Sequence, residues 1–406
     1  MNIPLPARAV LKPSVVSMAA MFASLGAWLF PSFGVLRKGF DTPSRPDLNA
    51  FIVLACWYML IFVSFVVGEK LGGWLPFRRT GRTETLLDLK SNVIYYGFTL
   101  ISSIGIAATV IRVFQLLSVQ QAIVFITLGQ ANELIDALYK DYSVGLVSLR
   151  YIVLYSASLA LYRIIRLKSF APINIFNVLM LVLSALLSSR LIFVATLLTT
   201  VLLLGFGKSS IRINVPKLIT VASLLFLVLA VLNYSRNKSY YEGNKLSFGL
   251  AGLSEIVTYL GAPFQAAFGT AGITDQLVAG GDQTYRHYVD EEIVLNTNSA
   301  FVHLHEQVGY FSWPYIALTC LFMGFAFEAL ASLGKTIFLL PCGAILYGSA
   351  ELWRLDLFQQ GTFIVWIIIG IGLPAFLIAG KCLLAFIGGV RGMAVPDDRI
   401  PPPSAR

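Results

Sequence analysis

A chain of 406 residues that is 57% hydrophobic and only 13% charged, with a mean hydropathy of +0.77, is too apolar for a soluble protein of its size. Its formal charge of +9 would point a soluble domain toward nucleic acid, but most Lys and Arg stand in short connections between long apolar runs, where they set topology, so no nucleic-acid partner is expected. The runs are apolar on every side, not at alternate residues, which excludes a transmembrane barrel and leaves an all-α, polytopic membrane protein.

In chain order the runs predict ten spans, at residues 14–33, 50–68, 92–111, 144–162, 172–188, 191–207, 216–234, 313–333, 336–350 and 361–380. The first leads into a further span and lacks a small-residue cleavage site, so it is expected to be a retained helix. The connections at 70–90, 163–168 and 208–217 are richest in Lys and Arg, and in this scheme all three face the cytoplasm with both termini. Residues 112–129, "RVFQLLSVQQAIVFITLG", are apolar enough for an eleventh span. A span there would place 70–90 and 163–168 on opposite faces, so a re-entrant or interfacial segment on the outer side is predicted. Arg37, Lys38 and Arg45 fall outside, against the trend, and are partly offset by Asp41 and Asp47. Cys56, Cys320, Cys342 and Cys382 all lie in apolar segments, which indicates neither a disulfide framework nor a thiolate metal site. The chain reads as one membrane domain over 1–406, with no internal repeat and a disordered tail at 393–406.

This topology sends the remaining polar parts to one face: the turn around Arg190 in "SALLSSRLIFVATLL", the long segment 235–312, and "ELWRLDLFQQ" at 351–360. A polar loop as long as 235–312 is uncommon without a role of its own. Within it Leu250, Leu253, Ile256, Val257, Leu260 and Phe264 recur at helical spacing with Glu255 and Thr258 off the stripe, which predicts an interfacial helix. Arg190, Arg236 and Arg354 each stand near the outer end of a predicted span. A planar guanidinium suits phosphate oxygens and stays charged when partly dehydrated, so the three arginines suggest a lipid-linked diphosphate. The alternative is that each reaches lipid headgroups or pairs with an acid such as Asp356.

All three histidines, His287, His303 and His305, lie in the same outer segment. His303 and His305 would point about 200° apart on a helix and to one face of an extended segment. Zinc would need further ligands, and neither an HExxH pattern nor paired cysteines supply them, so no metal or cofactor is expected. His303, His305 or Glu255 could act as general base toward a hydroxyl, the alternative being that the histidines cap the span at 313. Tyr240, Tyr241, Tyr285 and Tyr288 stand away from span ends and suit the C–H faces of sugars, whereas Tyr310, Trp313 and Tyr315 fit an interfacial belt.

"LLSSRLIFVATLL", "NYSRNKSYYEGN" leading to "YLGAPFQAAFG", and "TNSAFVHLHEQVGYFSWPYIALTCLFMGF" resemble the Wzy-type oligosaccharide repeat unit polymerases, relatives of the O-antigen ligases. The resemblance covers the last half of the chain and lies in the order of features: Ser-Arg at a span boundary, a long outer loop after the next span, then a polar stretch ending at Gly309. The chain has Glu-Gln-Val-Gly where relatives often have an acidic residue near Phe-Gly. The resemblance implies a glycosyltransferase in the bacterial inner membrane, working on its periplasmic face without a nucleotide sugar. Undecaprenyl-diphosphate-linked oligosaccharides would be donor and acceptor, and a chain-length regulator and a flippase would be partners. A ligase passing the same donor to another acceptor is the second expectation, and a flippase or transporter of lipid-linked saccharides is the third.

Overall fold

Backbone placed in hydrocarbon has to satisfy its own hydrogen bonds, which a helix does within one segment, and the apolar runs fold accordingly. The computed structural model describes residues 2–5, 7–29, 48–75, 88–116, 145–187, 191–205, 211–214, 247–274, 299–333 and 336–392, with a few single positions besides. A short strand β1 (Asn2–Leu5) precedes α1 (Pro13–Leu29), α2 (Leu48–Gly73) and α3 (Asn92–Leu116). A 3-10 helix (Leu146–Ile152) then feeds α4 (Val153–Leu167), followed by α5 (Pro172–Leu187), α6 (Leu191–Gly205) and strand β2 (Ile211–Asn214). Next come α7 (Phe248–Ala271), α8 (Ala300–Val308), α9 (Ser312–Ser332), α10 (Leu339–Glu351) and α11 (Gly361–Gly392).

The protein is a helical membrane protein. Leu48–Gly73, Asn92–Leu116, Ala300–Ser332 and Gly361–Lys381 are long and apolar enough to cross a bilayer, and α1, α5, α6 and α10 are shorter apolar helices. Helices coincide with nine of the ten expected runs, and the run at 216–234 lies almost wholly outside the described residues. Two expectations change. The run at 144–162 opens as a 3-10 helix and becomes α-helical only at Val153. The expected interfacial helix is present as α7, but residues 261–271 are buried against α1 and α2, and only its first half exposes Leu250, Leu253 and Tyr259. Ser24 donates to the Leu260 carbonyl at 2.6 Å and Trp28 to Gln265, so this half belongs to the bundle.

Helix pairs in apolar surroundings gain little from hydrophobic burial and depend on close packing between small residues. The tightest pair, α2 with α9, has that composition: Gly68 and Gly72, four apart on α2, face Gly324 on α9. A methyl on Gly68 would overlap the Leu321 carbonyl, and one on Gly324 would stand 2.7 Å from the Phe65 carbonyl oxygen. Between the two glycines of α2, buried Glu69 accepts from Ser14 N at 2.9 Å and Ser14 Oγ at 3.0 Å, with Lys12 Nζ at 3.7 Å, which ties the start of α1 to the same pair.

The basic connections gather at one end of the bundle. Arg163 donates to Asn92 Oδ1 at 2.9 Å and to the carbonyls of Lys90 and Ser91, and its guanidinium lies 4.1 Å from the Tyr95 ring centroid. Leu89 N reaches Thr336 Oγ1 at 3.3 Å, and β1 pairs antiparallel with β2, from Asn2 opposite Asn214 to Leu5 opposite Ile211. α3 and α4 run antiparallel from this end, with Ser102 Oγ and Ser156 Oγ 3.2 Å apart. The segment expected to re-enter from the outer side, mostly outside the described residues, therefore departs from and returns to the opposite half of the bundle.

Overpacking a close helix contact typically costs about 1–3 kcal/mol and can exceed that where backbone is the neighbour. Gly68→Val or Gly324→Val is expected to lower the level of folded protein in membranes several-fold, whereas Gly26→Val, whose Cβ meets only open space, leaves it unchanged. Fluorescence-detected size exclusion of the tagged variants measures this, and a normal monodisperse peak for Gly68→Val would contradict it.

Candidate functional site

Of the residues singled out from sequence, Arg190, Arg236, Tyr240, Tyr241, Tyr285 and Tyr288 lie outside the described residues, as does His287. Glu255 lies on α7, with only its backbone described. Arg354, His303 and His305 are described in full.

Arg354 follows α10, which begins at the basic end and therefore delivers it to the opposite one. The chain turns at once: Arg354 N bonds the Glu351 carbonyl at 2.8 Å, and Asp356 caps the next 3-10 turn by accepting from Phe358 N at 3.1 Å. The turn folds the guanidinium back onto its own helix, where Nε and Nη2 donate to Glu351 Oε2 at 3.1 and 3.0 Å. It also lies 4.8 Å from the centroid of Tyr259 on α7, whose ring meets Trp353 edge-on at 5.7 Å. The side chains of Arg354 and Glu351 are only 13% and 8% exposed. The acid partner suggested by sequence, Asp356, is not the one used. Asp356 is fully buried, and desolvation pushes its carboxyl above the usual range against the Phe358 N–H and the Tyr315 hydroxyl, which favour the charged form.

α8 is helical, so His303 and His305 diverge. His305 is completely buried, its ring tilted against Phe301 at 4.1 Å and packed against Trp57 of α2. Its Nδ1 is 2.8 Å from the Phe301 carbonyl, so that nitrogen carries the proton, and Nε2 accepts from Trp313 Nε1 at 3.2 Å with Ser312 Oγ also at 3.2 Å. With both nitrogens engaged inside an aromatic cage, His305 fastens α8 to α9 and α2, and offers no lone pair to a substrate. His303 is 35% exposed, beside Glu306 at 4.0 Å and Gln307 at 3.0 Å. The geometry moves His305 to packing and leaves the His303 ring at the surface.

Arg150 escaped the sequence reading, although it had the signal that drew attention to Arg190: an arginine within an apolar run. It sits in the 3-10 helix with 1% of its surface exposed. The backbone of the 3-10 helix touches α3 at Gly105, where any Cβ would overlap Arg150 N. Gly105 is thirteen residues beyond Asn92, so Arg150 stands about 20 Å from the basic end, within a hydrocarbon core of about 30 Å. Its Nη2 donates to the Tyr151 hydroxyl at 2.9 Å, while Nε and Nη1 are buried without an acceptor. A charged side chain at such depth costs about 2.5–3.5 kcal/mol on insertion scales, so its retention asks for a function.

The two arginines are joined through one polar, aromatic layer. Tyr151 O accepts from Trp366 Nε1 at 2.8 Å, Tyr155 donates to Trp366 O at 2.9 Å, and Trp366 meets Tyr347 edge-on at 6.1 Å. Tyr347 lies one turn before Glu351 on α10 and faces its carboxylate. The layer thus runs Arg150, Tyr151, Trp366, Tyr347, Glu351, Arg354, Tyr259. Between α1 and α2, Met18, Met21, Phe22, Leu25, Leu54 and Phe264 line part of an apolar groove of about 200 Å³.

No protein-family model matches the chain, and neither a curated protein nor a solved structure matches it.

Removing one partner of a buried ion pair leaves the other charge uncompensated, at a cost of about 3–5 kcal/mol. Arg354→Met alone should therefore lower the thermal unfolding midpoint in detergent by several degrees, and adding Glu351→Gln should restore most of it. Additive losses in the double variant would show that the two side chains are energetically independent.

Proposed function

We propose that the protein polymerises undecaprenyl-diphosphate-linked oligosaccharide repeat units on the periplasmic face of a bacterial inner membrane, as a glycosyltransferase of O-antigen or exopolysaccharide assembly. The observation that carries the reading is one-sidedness. The basic connections share one end of the bundle, and the Arg354, Glu351 and Tyr259 cluster lies toward the other, where the ten-span scheme also puts Arg190, Arg236 and the segment 235–312. The groove between α1 and α2 supports it as well, since a polyprenyl chain needs carbon surroundings.

In the proposed reaction the terminal hydroxyl of one lipid-linked repeat unit attacks the anomeric carbon of the glycan on another carrier. The carbon–oxygen bond to the diphosphate breaks, and the diphosphate leaves with the electron pair. Arg190, Arg236 and Arg354 meet the charge that develops there, a role that preorganised guanidinium groups perform without a metal. Glu351 and Tyr259 hold Arg354 in orientation for it. His303 or Glu255 takes the proton from the attacking hydroxyl. Tyr240, Tyr241, Tyr285 and Tyr288 hold sugar rings, and the loop that bears them excludes water, which would otherwise hydrolyse the donor. A chain-length regulator and a flippase are the partners such a reaction calls for. A ligase using the same donor differs only in its acceptor.

One observation favours a different class. Arg150 lies within the hydrocarbon zone and not at its edge, as a flippase of lipid-linked saccharides would require of its charges.

Purified protein incubated with lipid-linked repeat units alone separates the three. A ladder of products supports the polymerase, products only when a separate acceptor is added mean a ligase, and transbilayer movement without product means a flippase. Within the polymerase reading, Arg190→Lys should accumulate normally yet make at least tenfold less polymer, because lysine keeps the charge and loses the planar fork. Full activity of Arg190→Lys at normal abundance would remove the diphosphate role.

A further inference from the structure

A buried arginine is normally satisfied by a carboxylate or a set of carbonyls, because an ionised group left without partners in apolar surroundings is strongly disfavoured. Arg150 has neither. Of its five N–H donors, the one on Nε and the two on Nη1 have no acceptor, and the remaining nitrogen spends a bond on a neutral phenol, Tyr151. The face of the Tyr151 ring lies 4.7 Å from the guanidinium carbon, which stabilises the cation without cancelling its charge. Among the described residues no carboxylate forms an ion pair with it, and the 3-10 helix that carries it has no acidic residue in its first turn.

Two features show that the position is built and not accidental. Gly105 lets the α3 backbone press against the Arg150 backbone, a contact that any side chain there would prevent. Trp366 from α11 donates to the carbonyl of the neighbouring Tyr151, and Tyr155 bonds back to the Trp366 carbonyl, so the 3-10 turn is clamped from two sides. The guanidinium is thus held at a fixed place and depth with its donors uncommitted, the arrangement of a receptor for a planar-edged oxyanion.

We propose that Arg150 is the anchor of an intramembrane oxyanion site that receives the phosphate groups of an isoprenoid diphosphate, drawn about 10 Å below the outer membrane surface. The assignment of an isoprenoid carrier rests on the proposed function above; the need for a phosphate-type anion rests on Arg150 itself. Such a site acts before or after the chemical step at Arg354, by holding a carrier head within the bundle.

The test uses the full-length protein in detergent, with thermal unfolding as the readout and farnesyl diphosphate, farnesol and inorganic pyrophosphate as probes. Farnesyl diphosphate should raise the unfolding midpoint of the wild-type protein saturably, and farnesol should not. Arg150→Met should unfold at a higher temperature than wild type without ligand, since it removes an unsatisfied charge, and should bind farnesyl diphosphate at least tenfold more weakly. Arg150→Lys, which keeps the charge, should also bind at least tenfold more weakly. It serves as the deciding variant if the methionine protein does not fold. An Arg150-dependent shift with farnesyl diphosphate alone supports a lipid source, and an equal one with pyrophosphate supports the same oxyanion site filled from solution. Affinity within twofold of wild type in both variants, or no shift with either diphosphate, overturns the proposal. Binding that depends on Arg150 together with the absence of a product ladder would leave the site standing and remove the polymerase. A ladder unchanged in Arg150→Met would do the reverse.

Discussion

The contact between α2 and α9 holds the rest of the structure in place. Gly68 and Gly72 on one helix and Gly324 on the other bring backbones within touching distance, in surroundings where side-chain hydrophobicity offers no discrimination between neighbours. Near the basic end the same pair supports Glu69, which receives both polar groups of Ser14 and so fixes α1. Farther along, Trp57 of α2 and Trp313 of α9 close around His305, which fixes α8. One line of glycines therefore sets the position of four helices, and with α1 in place α7 is secured through Ser24 and Trp28.

Charges inside the bundle follow two different policies. Glu69, Arg163 and Arg354 each hold several partners, with only Nε of Arg163 left over, so their burial is largely compensated locally and their removal would be felt as instability. Arg150 is not compensated, and its burial is a standing cost to the unliganded protein. Among the described residues Arg150 is the guanidinium with the most donors left open, a defect of known sign that a negatively charged group would relieve.

The helical class and nearly all the apolar helices were legible in the sequence, because continuous hydrophobic runs have few alternatives in a bilayer. The gathering of Lys90 and Arg163 at one end followed from the distribution of basic residues alone. What remained hidden was anything decided by helix rotation or by an interior contact. Two histidines at spacing two left both arrangements open, and only the helical segment decided between them, turning one into an aromatic cage and the other to the surface. Arg354 was found by composition, but its choice of Glu351 over Asp356 depends on a turn of three residues that no periodicity announces. Arg150 passed unnoticed because a single arginine in a long apolar run reads as a tolerated exception, and only Gly105, forty-five residues earlier, places it in the interior.

The shortness of α10 has a mechanical consequence. With its 3-10 lead the segment Thr336–Glu351 rises about 25 Å, short of the roughly 30 Å of hydrocarbon around it, and residues 339–349 are buried on every side. Because protein and not lipid surrounds it, this shortness creates no mismatch with the bilayer. The segment simply stops inside a ring of longer helices, so the turn that carries Trp353 and Arg354 is made within the bundle and not on its rim.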